Sequence, residues 1–306
     1  MNFLRGIVRH ISFLALTLTM LAGHAAAQAP KSSSETQLTA QEVIDRIKAH
    51  VGVPWQADTV DTFKAGNPTT PVTGIAVTMM ATMDVLQRAV AAGDNLIITH
   101  EPTFYGHLDK ADNLHLGEKD PVLAEKRAYI EKHHLVIWRF HDFWHMRRPD
   151  GIEAGLIKTL GWEQYQDRVA PFLFSIPATT VGELAEFLKS KLAIGNIRVV
   201  GKRDMRVSRV ALSPGAAGSE REIEALELPG IQVLILGETR EWETVEYVAD
   251  AISEGKQIAL IVLSHVPSEQ AGMEECTSWL KGFVKEVPVQ FVAAPDPFAA
   301  GTTLTR

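Results

Sequence analysis

The chain has one cysteine, Cys276, so no internal disulfide can hold it together. It has no apolar run of membrane-spanning length. The longest, "ISFLALTLTMLA" from Ile11 to Ala22, falls short of the roughly 20 residues a span needs. It has no block of lysine and arginine, and its acidic balance argues against nucleic acid as a partner. Neither a Walker-type phosphate loop nor a G-x-S-x-G nucleophile elbow occurs, so P-loop chemistry and serine hydrolysis have no support. Cys276 lies in a helix-like stretch with no histidine beside it, which argues against a nucleophilic thiol. What remains is rich in alternating apolar and polar segments.

The first 27 residues read as a secretory signal peptide. Arg5 and Arg9 form a positive start, the apolar run follows, and Ala25-Ala26-Ala27 offers a cleavage site after Ala27. The polar stretch from 28 to 38 reads as a flexible leader. Removing the two arginines leaves 28 basic against 37 acidic residues, a net charge of −9. The expectation is an exported chain, periplasmic or secreted, with no membrane attachment after cleavage.

Helix and strand signals alternate through the rest. Thr39 and Glu42 make a capping box for a helix at "AQEVIDRIKAHVG". Strands are expected in "TGIAVTMMA", "NLIITHE", "HLVIWRFH", "IRVVGK", "RVSRVALSPG", "IQVLILGE", "QIALIVLSH" and "VPVQFVAAPDPF". Helices are expected between them, the last at "AGMEECTSWLKGFV". Such alternation predicts an α/β fold with mostly parallel sheets. We place an N-terminal α/β lobe at 39–170 and a C-terminal lobe at 171–306.

The two lobes read as related. "IAVTMMATMDVLQRAVAAGDNLIITHEPTFY" and "VALSPGAAGSEREIEALELPGIQVLILGETREW" each run strand, small-residue turn, helix, strand, and end at a glutamate. The spacing is 26 residues from Ile75 to Glu101 and 28 from Val210 to Glu238. "HLVIWRFHDFWH" and "QIALIVLSHVPSE" each end a strand at a histidine, His141 or His265, with His145 or Glu269 four residues on. Ligands bind beyond the carboxyl ends of parallel strands. The strand-terminal polar residues are therefore the candidates: His100, Glu101, His141, His145, Glu238, His265 and Glu269. Imidazoles with carboxylates are the donor mixture of Zn²⁺, Mn²⁺ and Fe²⁺. Each histidine alone is better explained as structural than as a ligand; the coincidence of seven favours a metal cleft. His107, His115, His133 and His134 sit in helix- or loop-like surroundings and are left out. "SPGAAGSE" could cradle an anion on helix amides, though such turns are common.

From about Thr39 to Phe298 these segments resemble the Nif-three-like dinuclear-metal family, often named GTP cyclohydrolase type-two homologs. "NLIITHEPTFY" resembles that family's strand ending in two adjacent histidines and a proline. "HDFWHMRRPDGIEAGLIKTLGW" resembles its His-x-x-x-Asp segment and following helix, "LILGE" its Thr-Gly-Asp strand end, and "SHVPSEQAGMEECTSWL" its Gly-His-x-x-x-Glu motif. Glu101 stands where the family has a second histidine, and His145 where it has an aspartate. The exchange keeps three histidines and two carboxylates: His100, Glu101, His145, His265 and Glu269.

The resemblance implies two divalent ions on those five residues, with His141 as an accessory ligand and Glu238 as proton shuttle or general base. It also implies a ring-like homo-oligomer, a hexamer. The leading expectation is a metal-dependent hydrolase in which hydroxide held by the ions attacks a phosphoester, amide or cyclic C–N bond of an unidentified small molecule. The alternative is a non-catalytic metal-binding ring scaffold.

Overall fold

The computed structural model describes residues 37–110 and 120–298. The signal peptide, nearly all of the leader, and His115 lie outside the described residues. Among the described residues no helix is long and apolar enough to cross a membrane.

Short runs such as IAVT and VLIL are buried on both faces, as strands in a parallel sheet must be. They assemble into two five-stranded sheets. In the first, β2 (Ile75–Thr78), β3 (Leu96–Thr99) and β4 (Val136–Arg139) run parallel. The short β1 (Phe63–Ala65) pairs antiparallel with β4 at one edge. In the second, β7 (Arg206–Ser213), β8 (Val233–Leu236) and β9 (Ala259–Val262) run parallel. Its edges, β5 (Leu173–Thr180) on β7 and β6 (Arg198–Val200) on β9, are antiparallel. The fold is α/β, and the expected kinship of the two lobes is visible in their topology.

That kinship extends to the helices. Helix α1 (Ala40–His50) leads toward β1 and α6 (Val181–Lys191) toward β6, and each begins with a Thr-x-x-Glu capping box: Thr39 with Glu42, Thr180 with Glu183. Helix α2 (Met83–Ala92) joins β2 to β3, and α3 (Pro121–Lys132) joins β3 to β4. Their counterparts are α7 (Ser219–Glu227) and α8 (Glu246–Ser253).

Several elements differ from expectation, the edge strand β1 among them, which was not read as a strand. The strand β10 (Val289–Phe291) falls in the second half of the sequence but pairs parallel with β2, so the chain returns to complete the first sheet. The strand β5 carries Pro177, which weakens a strand signal. It tolerates the proline as an edge strand whose register shifts between Ser175 and Thr179. Helix α9 begins at His265 and runs to Leu280, six residues earlier than read from sequence. Pro267 is its third residue, where the missing N–H would have had no intrahelical acceptor anyway.

Helix α9 ties the halves together by crossing α5 (Gly151–Leu160). A Cβ on Gly155 would sit 2.4 Å from the Ala271 carbonyl oxygen, and one on Gly272 would sit 2.4 Å from the Ile152 Cα. Only glycines allow the two backbones this approach. The amino ends of both helices thereby meet where the strands end.

Candidate metal centre

All seven candidate residues converge on one cleft between the carboxyl ends of the two sheets. His100 and Glu101 follow β3, and His141 follows β4. His145 lies in the single helical turn α4 (Asp142–Met146). Glu238 follows β8, and His265 and Glu269 occupy the first turns of α9. The ligand atoms of His100, His141 and His145 lie within 4.8 Å of one another, as do those of His100, Glu101 and Glu269. His265 Nε2 is 3.1 Å from Glu269 Oε2 and 3.5 Å from Glu101 Oε1. His141, expected as accessory, stands among the central imidazoles. The reason is a register difference. Phe140 and Leu263 occupy equivalent sheet positions, their N–H groups donating to Thr99 and Leu236. His141 therefore matches Ser264, and His265 falls one residue later.

Three of the four imidazoles share one orientation. His100 Nδ1 is 3.0 Å from the Phe140 carbonyl, His141 Nδ1 2.9 Å from Asp142, and His145 Nδ1 2.9 Å from Asp150. His265 Nδ1 faces Glu238 at 3.3 Å. A carbonyl or carboxylate only accepts, so in His100, His141 and His145 the Nδ1 carries the hydrogen when the ring is neutral and Nε2 is left with a lone pair. His265 instead has carboxylates at both nitrogens, Glu238 at Nδ1 and Glu269 at Nε2. Outer acceptors of this kind fix the rings of metal-binding histidines. His100 Nε2 is fully buried and has no hydrogen-bond partner among the described residues. Burial, reinforced by the neighbouring His141 and His145, holds His100 well below the usual histidine range, so its lone pair is available.

The carboxylates give the cleft a field that favours a cation. Burial opposes charge on His265, yet Glu101, Glu238 and Glu269 push it up to about 12. His145 is likewise raised: burial opposes its charge, but Asp150, with Glu269 and Glu101, outweighs that. Glu101 is held well below the usual carboxylate range: burial raises it, but His265, His100 and His141 prevail. Its Oε2 faces the Arg139 guanidinium at 3.4 Å, which leaves Oε1 toward His141 and His265.

Several residues that build the centre were not read from sequence. Asp61 accepts from the amides of His141, Asp142 and Phe143 at 2.7 to 2.9 Å and fixes the turn that presents His141 and His145. Asp150 caps α5 through the amides of Ile152 and Glu153 while holding His145. Arg139, fully buried, donates to the carbonyls of His100 and His107. His107, set aside on sequence, lies with its ring 6.4 Å from that of His141. The "SPGAAGSE" turn also joins the site: a Cβ on Gly215 would strike Glu269 Oε1 at 2.1 Å, so only glycine fits. An aspartate as helix N-cap was the one available signal, for Asp150.

The sequence profile of the DUF34/NIF3 family (NGG1p interacting factor 3) matches residues 38–297. A GTP cyclohydrolase 1 type 2 homolog of Chlamydia trachomatis is 24% identical over 246 residues, 77% of this chain and 89% of that one. One from Clostridium perfringens is 23% identical over 240 residues, 74% of this chain and 86% of that one. Among solved structures, a hypothetical protein of Staphylococcus aureus superposes with a TM-score of 0.65 at 17% identity, covering 85% of this chain and 98% of that one. A Bacillus cereus protein related to NIF3 gives 0.64 at 15% identity, covering 88% of this chain and 100% of that one. The matched profile spans both sheets and every cleft residue from His100 to Glu269, and the chain belongs to the DUF34/NIF3 family.

Proposed function

We propose that the cleft is a divalent transition-metal centre serving a hydrolase. The carrying observation is the common orientation of three imidazoles, His100, His141 and His145, with the orphaned, buried Nε2 of His100 among them. A fully buried polar atom with no partner costs about 1–3 kcal/mol, and a bound cation removes that cost. Nitrogen and carboxylate donors suit Zn²⁺, Mn²⁺ or Fe²⁺. His100, Glu101, His141, His145, His265 and Glu269 would hold the metal, and six donors suffice for a pair of ions. Such ions would supply Lewis acidity and lower the pKa of a water.

The chain's own residues do the rest. Arg139 and the Nδ1 acceptors keep the donors in place. Glu238 is the exposed member of the group and faces both His265 and the open cleft. It is the carboxylate placed to carry a proton between cluster and solvent. The signal peptide read at 1–27 would put this activity outside the cytoplasm, and the family resemblance would put it in a ring of subunits. N-terminal sequencing and light scattering of the purified chain test those two points.

The primary test is elemental analysis of the purified chain against His100→Ala/His265→Ala, with circular dichroism on both. We expect bound transition metal in the wild type and its loss from a folded variant. Equal metal content in the two, or none in the wild type, would remove the proposal.

A further inference from the structure

The cluster stands between two cavities. One, of about 1180 Å³, lies on the His141 and His145 side. The other, of about 1060 Å³, opens beyond His265. Both are lined by Met80, Glu238 and His265, so a molecule at the cluster reaches into either. We infer that the second cavity is a subsite for the apolar, hydrogen-donating part of the substrate, an amine or amide group on an apolar body, and that the centre acts on a C–N bond rather than on a nucleotide phosphate. This deepens the metal-centre reading and rests on it.

The walls carry the argument. Met80, Met83, Ile197, Val266, Pro295 and Phe298 supply an apolar lining from both halves of the chain. Its carboxylates are Asp84, Glu238, Glu241 and Asp296, against one guanidinium, Arg198. Arg198 is already paired with Glu241 at 2.6 Å. Asp296 accepts from the Phe298 amide through Oδ1, while its Oδ2 is buried with no donor among the described residues. The amino ends of α2 and α9 reach this cavity. At α2, Thr82 caps the Val85 amide and Asp84 already supplies the negative charge that a helix start attracts. At α9 no side chain caps the first amides, but that end already carries His265 with Glu238 and Glu269 about it. A polyphosphate would meet carboxylates there and no base but the ion-paired Arg198, whereas phosphate sites are built from arginine forks as well as free amides. The first cavity adds one arginine, Arg221, against six carboxylates. An N–H group, by contrast, finds the acceptor it needs at Asp296. Hydrolysis of such a substrate consumes only water: a C–O bond forms, the C–N bond breaks, and a proton passes to the leaving nitrogen.

The test is calorimetric titration of the intact chain with benzylamine, N-benzylacetamide and GTP, in wild type, Met83→Arg and Phe298→Arg. Phe298 is 70% exposed at the rim, so its substitution leaves the core alone. We expect an aryl probe to bind more tightly than GTP, and both substitutions to weaken it at least about tenfold by placing a charge in the apolar wall. GTP binding tighter than both aryl probes, no aryl binding at millimolar concentration, or unchanged aryl affinity in both variants would overturn the inference. Metal content, measured on the same samples, reports separately on the centre. Loss of metal from wild type defeats the hydrolase reading, while the probes still report which chemistry the cavity prefers.

Discussion

His100 is the imidazole whose surroundings leave it least freedom. Its Nδ1 is committed to Phe140, its ring stacks at 4.6 Å on that of His141, and no solvent reaches it. His100→Ala alone should therefore remove most of the bound metal, while Glu238→Gln, at the exposed edge, should retain it and lose turnover. Elemental analysis of both variants would decide the order. Ser264, next to His265, raises a different question. It sits at φ 76°, ψ 155°, a region that belongs almost wholly to glycine and costs other residues about 1–3 kcal/mol. Relief of that strain outweighs the roughly 0.5–1 kcal/mol of chain entropy that a glycine adds. Ser264→Gly should thus stabilise the fold by about 1 kcal/mol, read as a higher urea midpoint at unchanged slope. A lower midpoint would mean that the hydroxyl, not the backbone, governs this turn. The strand-terminal residues were legible because seven imidazoles and carboxylates recur at the ends of buried apolar runs in both halves, where any one alone would have been unremarked. Asp61 and Arg139 were not, because their roles depend on neighbours about 80 and 40 residues away.

At the scale of elements, α3 and the loop after β3 form one polar unit beneath the centre. Lys126, almost wholly buried on α3, donates to the Thr103 carbonyl at 2.6 Å and lies 5.0 Å from the Tyr105 ring. Burial lowers its pKa from 10.5 to about 8, partly offset by Asp109. Between those two values the unfolded chain binds more protons at this residue than the native one, so its contribution to stability rises with pH. The penalty is fully present below pH 8 and relieved as pH climbs toward 10.5. Lys126→Met should flatten that rise, by on the order of 2 kcal/mol between pH 7.5 and 10.5 in chemical denaturation. A wild type and variant with parallel pH profiles would show the amine to be solvated. The crossing of α5 and α9 makes a second, steric prediction. Gly155→Val has no room against the Ala271 carbonyl and should cost at least about 2 kcal/mol while also loosening the centre, since Asp150 begins one helix and His265 the other. Element types were readable from apolar periodicity. The start of α9 was not, because Pro267 reads as a breaker until its place in the first turn is known.

The whole molecule is two copies of one plan, each running from a capped helix and an antiparallel edge strand through three parallel strands, but the copies do not divide cleanly in sequence. After finishing the second sheet, the chain sends α9 and β10 back to the first. Val266, Met273, Cys276, Leu280, Val284 and Val289 all lie in the first sheet's core. Composition and spacing showed the repeat; they could not show this return, because an apolar helix and strand suit either sheet equally well. The consequence is that a fragment of residues 37–170 lacks a side of its own core and should not fold alone. Circular dichroism should show no cooperative melt, and a peptide spanning 264–298 added in trans should restore one. Cys276 reports on the same closure in the intact protein. It is fully buried on α9, and burial pushes its thiol well above the usual range, so it reacts only when α9 leaves the first sheet. Alkylation should accordingly track unfolding in denaturant and accelerate in Gly155→Val in proportion to the lost stability. Labelling at the same slow rate in both proteins would mean that α9 is held by the first sheet alone, without the glycine crossing. Labelling that is fast in the native wild type would mean that the returning segment opens independently, and that the cleft residues His265 and Glu269 are carried on a hinged helix.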